Sequence, residues 1–267
     1  MNCNRRTALN CAVTALGLIL PAGALSTGLF APSAKAQTAT LTNLAYLSRR
    51  LDASHADFRA WYINHHAPDF MSFAKAHLAR YSQDYVEGAR KGDVDFDVIS
   101  TFGYHSEKDR AAVIKYISTP EGKAVMALHP PIGTKPGPNE DHSGSRTYAI
   151  EERLVGGPPR GYDKPGTRKH VAVLRGKGPA TTPAAFNKVA TDFATDIAAK
   201  ARGGAVRVTI CLAVPEAGRP APFFDAVIAL WPKPDATLAD VFDGAPAAID
   251  VVNVLDIWSY DNDLRAS

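Results

Sequence analysis

The chain is poor in cysteine and has no motif typical of a metal site. Three cysteines occur among 267 residues, and two of them, Cys3 and Cys11, lie within the first 36 residues. The remainder contains only Cys211, which excludes an intramolecular disulfide and a cysteine-based metal cluster there. The patterns His-Glu-x-x-His, Cys-x-x-Cys and the Asp-rich calcium loop are also missing from the sequence. The sequence therefore predicts no metal site.

An excess of positive charge is also lacking outside the amino-terminal segment. Of the 30 basic and 27 acidic residues, residues 1–36 contain three basic ones and no acid, so the rest of the chain has 27 of each. A neutral chain argues against a nucleic-acid partner, because affinity for nucleic acids depends largely on neutralising phosphates. With 46% hydrophobic and 21% charged residues, the composition is that of a folded globular protein.

Residues 1–36 have the pattern of an export signal. Arg5 and Arg6 form a basic start, a weakly apolar run covers 8–20, and a small-residue cleavage site covers 34–36. This order resembles a twin-arginine signal peptide, which predicts a periplasmic protein. A Sec signal and an amphipathic terminal helix are the alternatives. Because the apolar run is shorter than the ~20 residues that span a bilayer, we expect no membrane association after cleavage.

The rest of the chain divides into two halves with the same predicted element order. Residues 156–167 contain three prolines and four glycines, which predicts a linker between a domain over 37–155 and a domain over 168–267. In each half the hydrophobic periodicity predicts strand, helix, strand, strand, helix, strand. This is the ferredoxin-like βαββαβ pattern, so we expect an α+β fold of tandem ferredoxin-like repeats. Their uncovered sheet faces would meet in a dimeric-type α+β barrel, unless each half pairs with another chain. A homodimer is left open.

The predicted element boundaries follow from apolar spacing, capping residues and prolines. In the first half, helices begin near Ser54 and at Lys108, and Pro68 and Pro120 interrupt them. In the second half, a helix begins at Thr182. The predicted strands are 44–49, 79–87, 97–105, 148–154, 170–175, 206–214, 223–230 and 251–260, and the second-half helices are 182–201 and 237–242.

A motif on the first predicted helix resembles the signature of the EthD domain family. Residues 58–68 read Phe-Arg-Ala-Trp-Tyr-Ile-Asn-His-His-Ala-Pro, with an aromatic pair before His-Ala-Pro, and residues 118–122 read Ser-Thr-Pro-Glu-Gly. The likeness covers residues 44–154. It implies a dimeric α+β barrel with a pocket between sheet and helices that suits an apolar ring. The second half has no histidine near 196–199, at the equivalent point of its helix, so it resembles a degenerate copy.

Two adjacent histidines are the predicted catalytic residues. His66 occupies the histidine position of the EthD motif, and an imidazole that titrates near neutral pH suits a general acid or base. The alternative is that His66 caps a helix end broken at Pro68. His65 lies near the centre of the apolar helical stripe, one turn after Tyr62. We predict that His65 and Tyr62 shape the pocket, although a histidine on such a face can also be a buried hydrogen-bond donor.

Further candidates for substrate binding lie on the predicted strands and in one loop. Tyr85, Asp97 and Tyr104 lie on strands, where a hydroxyl or carboxylate facing the barrel could orient a substrate carbonyl or phenol. Packing or an edge position is the alternative for each of them. His129 begins a long loop that runs to about residue 146, and long loops are often binding loops or lids. The alternative is a mobile surface connection.

Together these features predict an exported, cofactor-independent enzyme of EthD-like type. We expect acid/base chemistry, as in a lyase, isomerase or cyclase, on a small aromatic or cyclic compound. A non-catalytic periplasmic binding protein for an apolar ring ligand is the main alternative. A haem-dependent oxidase is another, although the Gly-x-x-Asp-Gly pattern is not present around Asp243.

Overall fold

The fold is taken from a computed structural model of the chain. It describes residues 41–49, 52–127, 145–159, 164, 166–178, 182–219, 221–236, 238, 240–262 and 264. The predicted signal segment and His129 lie outside these residues. Within the described ranges, every helix is too short or too polar to cross a bilayer.

Eight strands and five α-helices make up the described structure. The first half contains β1 (Thr42–Leu47), α1 (His55–Trp61), α2 (Ala67–Ala74), β2 (Leu78–Lys91), β3 (Val98–Tyr104), α3 (Glu107–Ser118), α4 (Pro120–Ala127) and β4 (Ser145–Gly156). A π-helical turn (Tyr62–His66) joins α1 to α2, and a 3₁₀ turn (Lys75–His77) follows α2. The second half contains β5 (Thr167–Gly176), α5 (Pro183–Lys200), β6 (Ala205–Ala213), β7 (Ala226–Pro232) and β8 (Ile249–Asp261).

All eight strands belong to one closed antiparallel barrel. Around the barrel the order is β1-β3-β2-β8-β5-β7-β6-β4, and β4 pairs with β1 to complete the circle. The predicted fold class, tandem ferredoxin-like repeats forming a dimeric-type α+β barrel, is therefore wrong. The prediction placed two separate sheets face to face, each with its own helices, whereas the protein has one continuous sheet with few helices.

Hydrogen bonds across the two seams between the halves explain this difference. β2 pairs with β8 over Ser82–Lys91, and β4 pairs with β6 over Ile150–Gly156. Edge strands present unpaired backbone N–H and C=O groups, which closure of the barrel satisfies. Two sheets that only faced each other would leave four such edges exposed.

Side chains fill the barrel interior. The ring of Tyr46 packs against Phe96 and Phe223, with centroids 4.9 and 4.8 Å away. Lys169 shares a face of β5 with the core residues Val171 and Val173, and it forms an ion pair inside the barrel. The space between the helices and the outer face of the sheet is therefore the remaining place for the predicted site.

One local prediction about the helices holds in modified form, and another is wrong. The predicted interruption at Pro68 takes the form of the π-helical turn just before it, after which the helical chain continues through α2. Proline has no N–H to donate and its ring crowds the preceding turn, and the wider π turn relieves both problems. Residues 240–242, within the predicted helix over 237–242, form a turn, and Gly244 follows with φ +74°.

Candidate functional site

The first helix is fixed at its start by a side-chain cap. The Ser54 hydroxyl accepts a hydrogen bond of 3.0 Å from the backbone N–H of Asp57 and donates one of 2.7 Å to its carboxylate. This satisfies one of the free N–H groups at the helix start, as the sequence predicts. From this cap, Phe58 and Tyr62 point into the protein and are buried against the outer face of the sheet.

The π-helical turn then selects which of the two histidines faces the sheet. The backbone N–H of Ala67 donates to the carbonyl of Tyr62, five residues earlier, so one turn contains an extra residue. As a result His66 is buried, at 4% exposure, and His65 is exposed. The expected position of His65 on the apolar stripe is wrong, because that expectation used the regular α-helical angle of about 100° per residue.

His66 lies among aromatic rings. Its imidazole is 4.3 Å from the ring of Tyr62 and 5.8 Å from that of Trp61, measured between centroids. It stacks nearly parallel to Phe70 at 6.5 Å. The side chain makes no capping hydrogen bond to the backbone N–H groups at the start of α2.

Two buried tyrosines beside His66 have hydrogen-bonded hydroxyls. The hydroxyls of Tyr62 and Ser100 are 3.0 Å apart, and the hydroxyl of Tyr85 donates to the side-chain carbonyl of Gln83 at 2.5 Å. The two tyrosine rings are 6.1 Å apart. We call these five residues the His66 cluster: His66, Tyr62, Tyr85, Gln83 and Ser100.

Both of these tyrosines are neutral at neutral pH, and burial raises their pKa further above the ordinary value of about 10. It raises the pKa of Tyr62 to about 12, although the hydrogen bond with Ser100 acts in the opposite direction. Burial also raises the pKa of Tyr85, and the nearby Tyr62 adds to this effect. At neutral pH both phenols are therefore hydrogen-bond donors and not bases. The cluster combines a potential proton acceptor, the imidazole, with neutral donors that could stabilise a developing oxyanion.

The other sequence candidates lie elsewhere. Tyr104 is buried beneath the helices in a separate cluster with Leu78 and Val113, and burial raises its pKa to about 12. Asp97 is also buried, where it accepts a hydrogen bond of 2.7 Å from the backbone N–H of Arg49 and pairs with its guanidinium. Thus the structure brings together Tyr62, His66 and Tyr85, and it places His65, Asp97 and Tyr104 outside this cluster.

Sequence reasoning missed two members of the cluster, Gln83 and Ser100. Both are completely buried, and both lie on strands that also carry candidates. The period-two alternation of a strand places Gln83 on the same face as Tyr85, and that signal was present in the sequence. For Ser100 the signal is weaker, because a small hydroxyl residue on a strand is common.

A cavity of about 150 Å³ lies away from the His66 cluster. It is lined in part by Lys91, Lys177, Phe242 and Val251. No member of the His66 cluster lines it. Around His66, aromatic rings pack in the space between helix and sheet.

The second half does not fit a haem beneath its helix. α5 contains no histidine, and it packs Phe186, Phe193 and Ile197 into a continuous core with the sheet. A macrocycle would need the volume that these side chains fill. In the part of the chain that is described, no three His, Cys, Asp or Glu side chains are grouped to hold a metal ion.

Comparison with known proteins gives similarity at the level of overall shape. No protein-family model matches this chain, and no curated protein matches it in sequence. A candidate monooxygenase from Fusobacterium nucleatum subsp. nucleatum is similar in structure, with a TM-score of 0.47 and 9% identity over 84% of this chain and 94% of that one. A candidate chlorite dismutase has a TM-score of 0.46 and 14% sequence identity, over 83% of this chain and 96% of that one. The chlorite dismutase of Candidatus Nitrospira defluvii has a TM-score of 0.45 and 9% sequence identity, over 85% of this chain and 93% of that one. Similarities this low carry no argument about activity.

Proposed function

We propose that this chain is an exported enzyme without a cofactor that moves a proton on a small aromatic or cyclic compound at the His66 cluster. The observation that supports this most directly is the buried imidazole of His66, 4.3 Å from a buried, neutral tyrosine. His66 would act as the general acid or base, and the hydroxyls of Tyr62 and Tyr85 would hold the substrate oxygen. Such chemistry belongs to lyases, isomerases and cyclases.

The resemblance of residues 58–68 to the EthD signature agrees with this proposal, because it assigns the same histidine. The predicted twin-arginine segment is the basis for proposing a periplasmic location. A ring-shaped substrate would stack well among the aromatic side chains that already surround His66, with centroid distances of 4.3 to 6.5 Å. Entry of the substrate requires the helical chain from α1 to α2 to move outwards from the sheet.

The second candidate function is ligand binding without turnover. It is favoured by the close ring packing around the imidazole, which stacks on Phe70 with 6.5 Å between ring centroids. In that case a ring compound would occupy the opened cluster and leave unchanged.

Variants at His66 separate these two functions. The substrate is first identified by mass spectrometry of small molecules that co-purify with the exported protein. His66→Phe keeps an aromatic ring in the stack with Tyr62 and Phe70 but cannot transfer a proton, so we expect turnover to fall about 10²–10⁴-fold while the protein stays folded. His105→Ala, at an exposed position on another element, is the matched control.

Two results would contradict enzymatic function at this site. Turnover that is unchanged in His66→Phe would show that another group carries the chemistry. Quantitative recovery of the unaltered ligand after prolonged incubation with the parent protein would favour the binding function instead.

A further inference from the structure

A chain of aromatic contacts leads from the buried His66 cluster to the protein surface. Tyr85 contacts Trp258 on β8, with ring centroids 5.8 Å apart, and Trp258 stacks on Tyr260 at 6.2 Å. Trp258 and Tyr260 are only half-buried and pack against the core beneath α1. They lie at the seam where β2 meets β8, so a ring compound could stack there before it reaches the imidazole.

A guanidinium group lies over this exposed end. Arg59 extends from α1, and its guanidinium carbon is 5.0 Å from the ring centroid of Trp258 and 5.7 Å from that of Tyr85. It forms an ion pair with Glu87 at 3.5 Å, and both side chains are about one-third exposed. An ion pair this long and this exposed is weak, and its guanidinium can be shared with an incoming anion.

The surrounding charges also favour an anion. Arg168 is directly opposite Trp258 in the β5–β8 register, and Arg90 reaches the same seam. Arg90 is engaged by Asp256, whose carboxylate is 3.0 Å from the guanidinium Nε and 2.7 Å from the imidazole of His170. Arg168 therefore adds a positive charge beside Trp258, on the other side of β8 from the β2–β8 seam. Guanidinium groups bind carboxylates with two parallel hydrogen bonds, and they also stack on aromatic rings.

We propose that this seam patch, Arg59, Trp258 and Tyr260, binds the carboxylate form of an aromatic acid and delivers its ring to the His66 cluster. Trp258 and Tyr260 form the stacking platform, and Arg59 neutralises the carboxylate. This inference rests on the proposed function, since it specifies the substrate class of the same site as a small aromatic anion.

Titration calorimetry with two matched probes tests the seam patch. Benzoate and its neutral isostere benzamide are titrated into the full chain. We expect benzoate to bind about ten-fold more tightly than benzamide, since charge-assisted hydrogen bonds are stronger than neutral ones. Arg59→Gln should weaken benzoate binding about ten-fold and leave benzamide binding nearly unchanged. Glu87→Gln should strengthen benzoate binding, because it removes the competing carboxylate.

Two further variants complete the test. Trp258→Leu should weaken both probes, since the platform contacts the ring and not the charge. Arg153→Gln is the control, because Arg153 is an exposed arginine on β4 that bonds to Glu151. Equal affinities for benzoate and benzamide, unchanged benzoate binding by Arg59→Gln, or no benzoate binding at millimolar concentration would each overturn the inference. These titrations measure binding and not turnover. A negative result would therefore overturn the seam patch without deciding whether His66 transfers a proton, which the His66→Phe turnover assay tests.

Discussion

The buried ion pair inside the barrel gives the sharpest prediction about stability. The Lys169 ammonium group is 2.7 Å from the Asp84 carboxylate, and the two residues are only 2% and 6% exposed. The hydroxyl of Ser259 donates a further hydrogen bond of 2.7 Å to the same carboxylate. The ammonium group also lies 4.9 Å from the ring centroid of Trp231. Neither charge can reach bulk water in the folded state.

Removing one partner leaves the other charge buried, and this should cost about 3–5 kcal/mol of unfolding free energy. We expect this loss for Asp84→Leu and for Lys169→Met separately. For a domain of about this size, 1 kcal/mol shifts the melting temperature by about 2–4 °C, so each variant should melt roughly 6–20 °C lower. Urea unfolding gives the free energies, and an unchanged slope with urea concentration confirms that the same surface is exposed.

The double variant distinguishes a coupled pair from two independent residues. Asp84→Leu with Lys169→Met removes both charges, and the main remaining cost is the hydroxyl of Ser259, about 1–3 kcal/mol. The double variant should therefore be more stable than the sum of the two single losses predicts. Lys188→Met, which breaks an exposed ion pair with Asp192 on α5, should have little effect. If the two single losses add in full, this reasoning about the buried pair is refuted.

Two further predictions concern pH and backbone geometry. Burial, and then the nearby Arg90, lowers the pKa of His170 below its ordinary value, so the unfolded chain takes up a proton first as pH falls. The free energy of unfolding should therefore decrease from pH 7 to 5, and it should decrease less in His170→Gln than in the parent protein. Urea unfolding at several pH values measures this, and equal pH dependence in the two proteins would contradict it. Gly92 has φ +71°, and an added Cβ would lie 2.3 Å from the carbonyl oxygen of Val252. Gly92→Ala should cost about 1–3 kcal/mol, whereas Gly88→Ala, with open space around the added carbon, should not; equal losses would refute the steric account.

Local structure was predictable from the sequence because its causes are local. The cap at Ser54 is confirmed, since its hydroxyl accepts from the backbone N–H of Asp57. The helix predicted to begin at Thr182 begins at Pro183, where the Thr182 hydroxyl accepts from the backbone N–H of Ala185. The break at Pro120 is also confirmed, because α3 ends at Ser118 and α4 begins with the proline. In each case a few neighbouring residues decide the conformation.

Barrel closure could not be predicted in the same way, because it depends on contacts between distant parts of the chain. The apolar alternation along β2 and β8 shows that each is a strand, but it does not show that Ser82 pairs with Asp261. Lys169 lies just before the strand predicted over 170–175, and only the closed barrel brings it to Asp84.

The candidate site was predicted in part, and the misplacement of His65 has one physical source. Tyr62, His66 and Tyr85 were identified, but a single π-helical turn changed which histidine faces the sheet. After that turn, every residue is rotated relative to a regular helix. Sequence periodicity cannot show such a turn unless the proline that it accommodates, Pro68, is recognised as its cause.

The two tyrosines of the His66 cluster can be tested for a role beyond packing. Phenylalanine at positions 62 and 85 would fill the same space beneath α1 without burying hydroxyl groups. Burying a hydroxyl costs free energy unless it is hydrogen-bonded, and here Ser100 and Gln83 are the partners. If the hydroxyls only satisfy each other's neighbours, Tyr62→Phe and Tyr85→Phe should change the free energy of unfolding alone. If they hold the substrate oxygen as proposed, the same variants should also lower turnover.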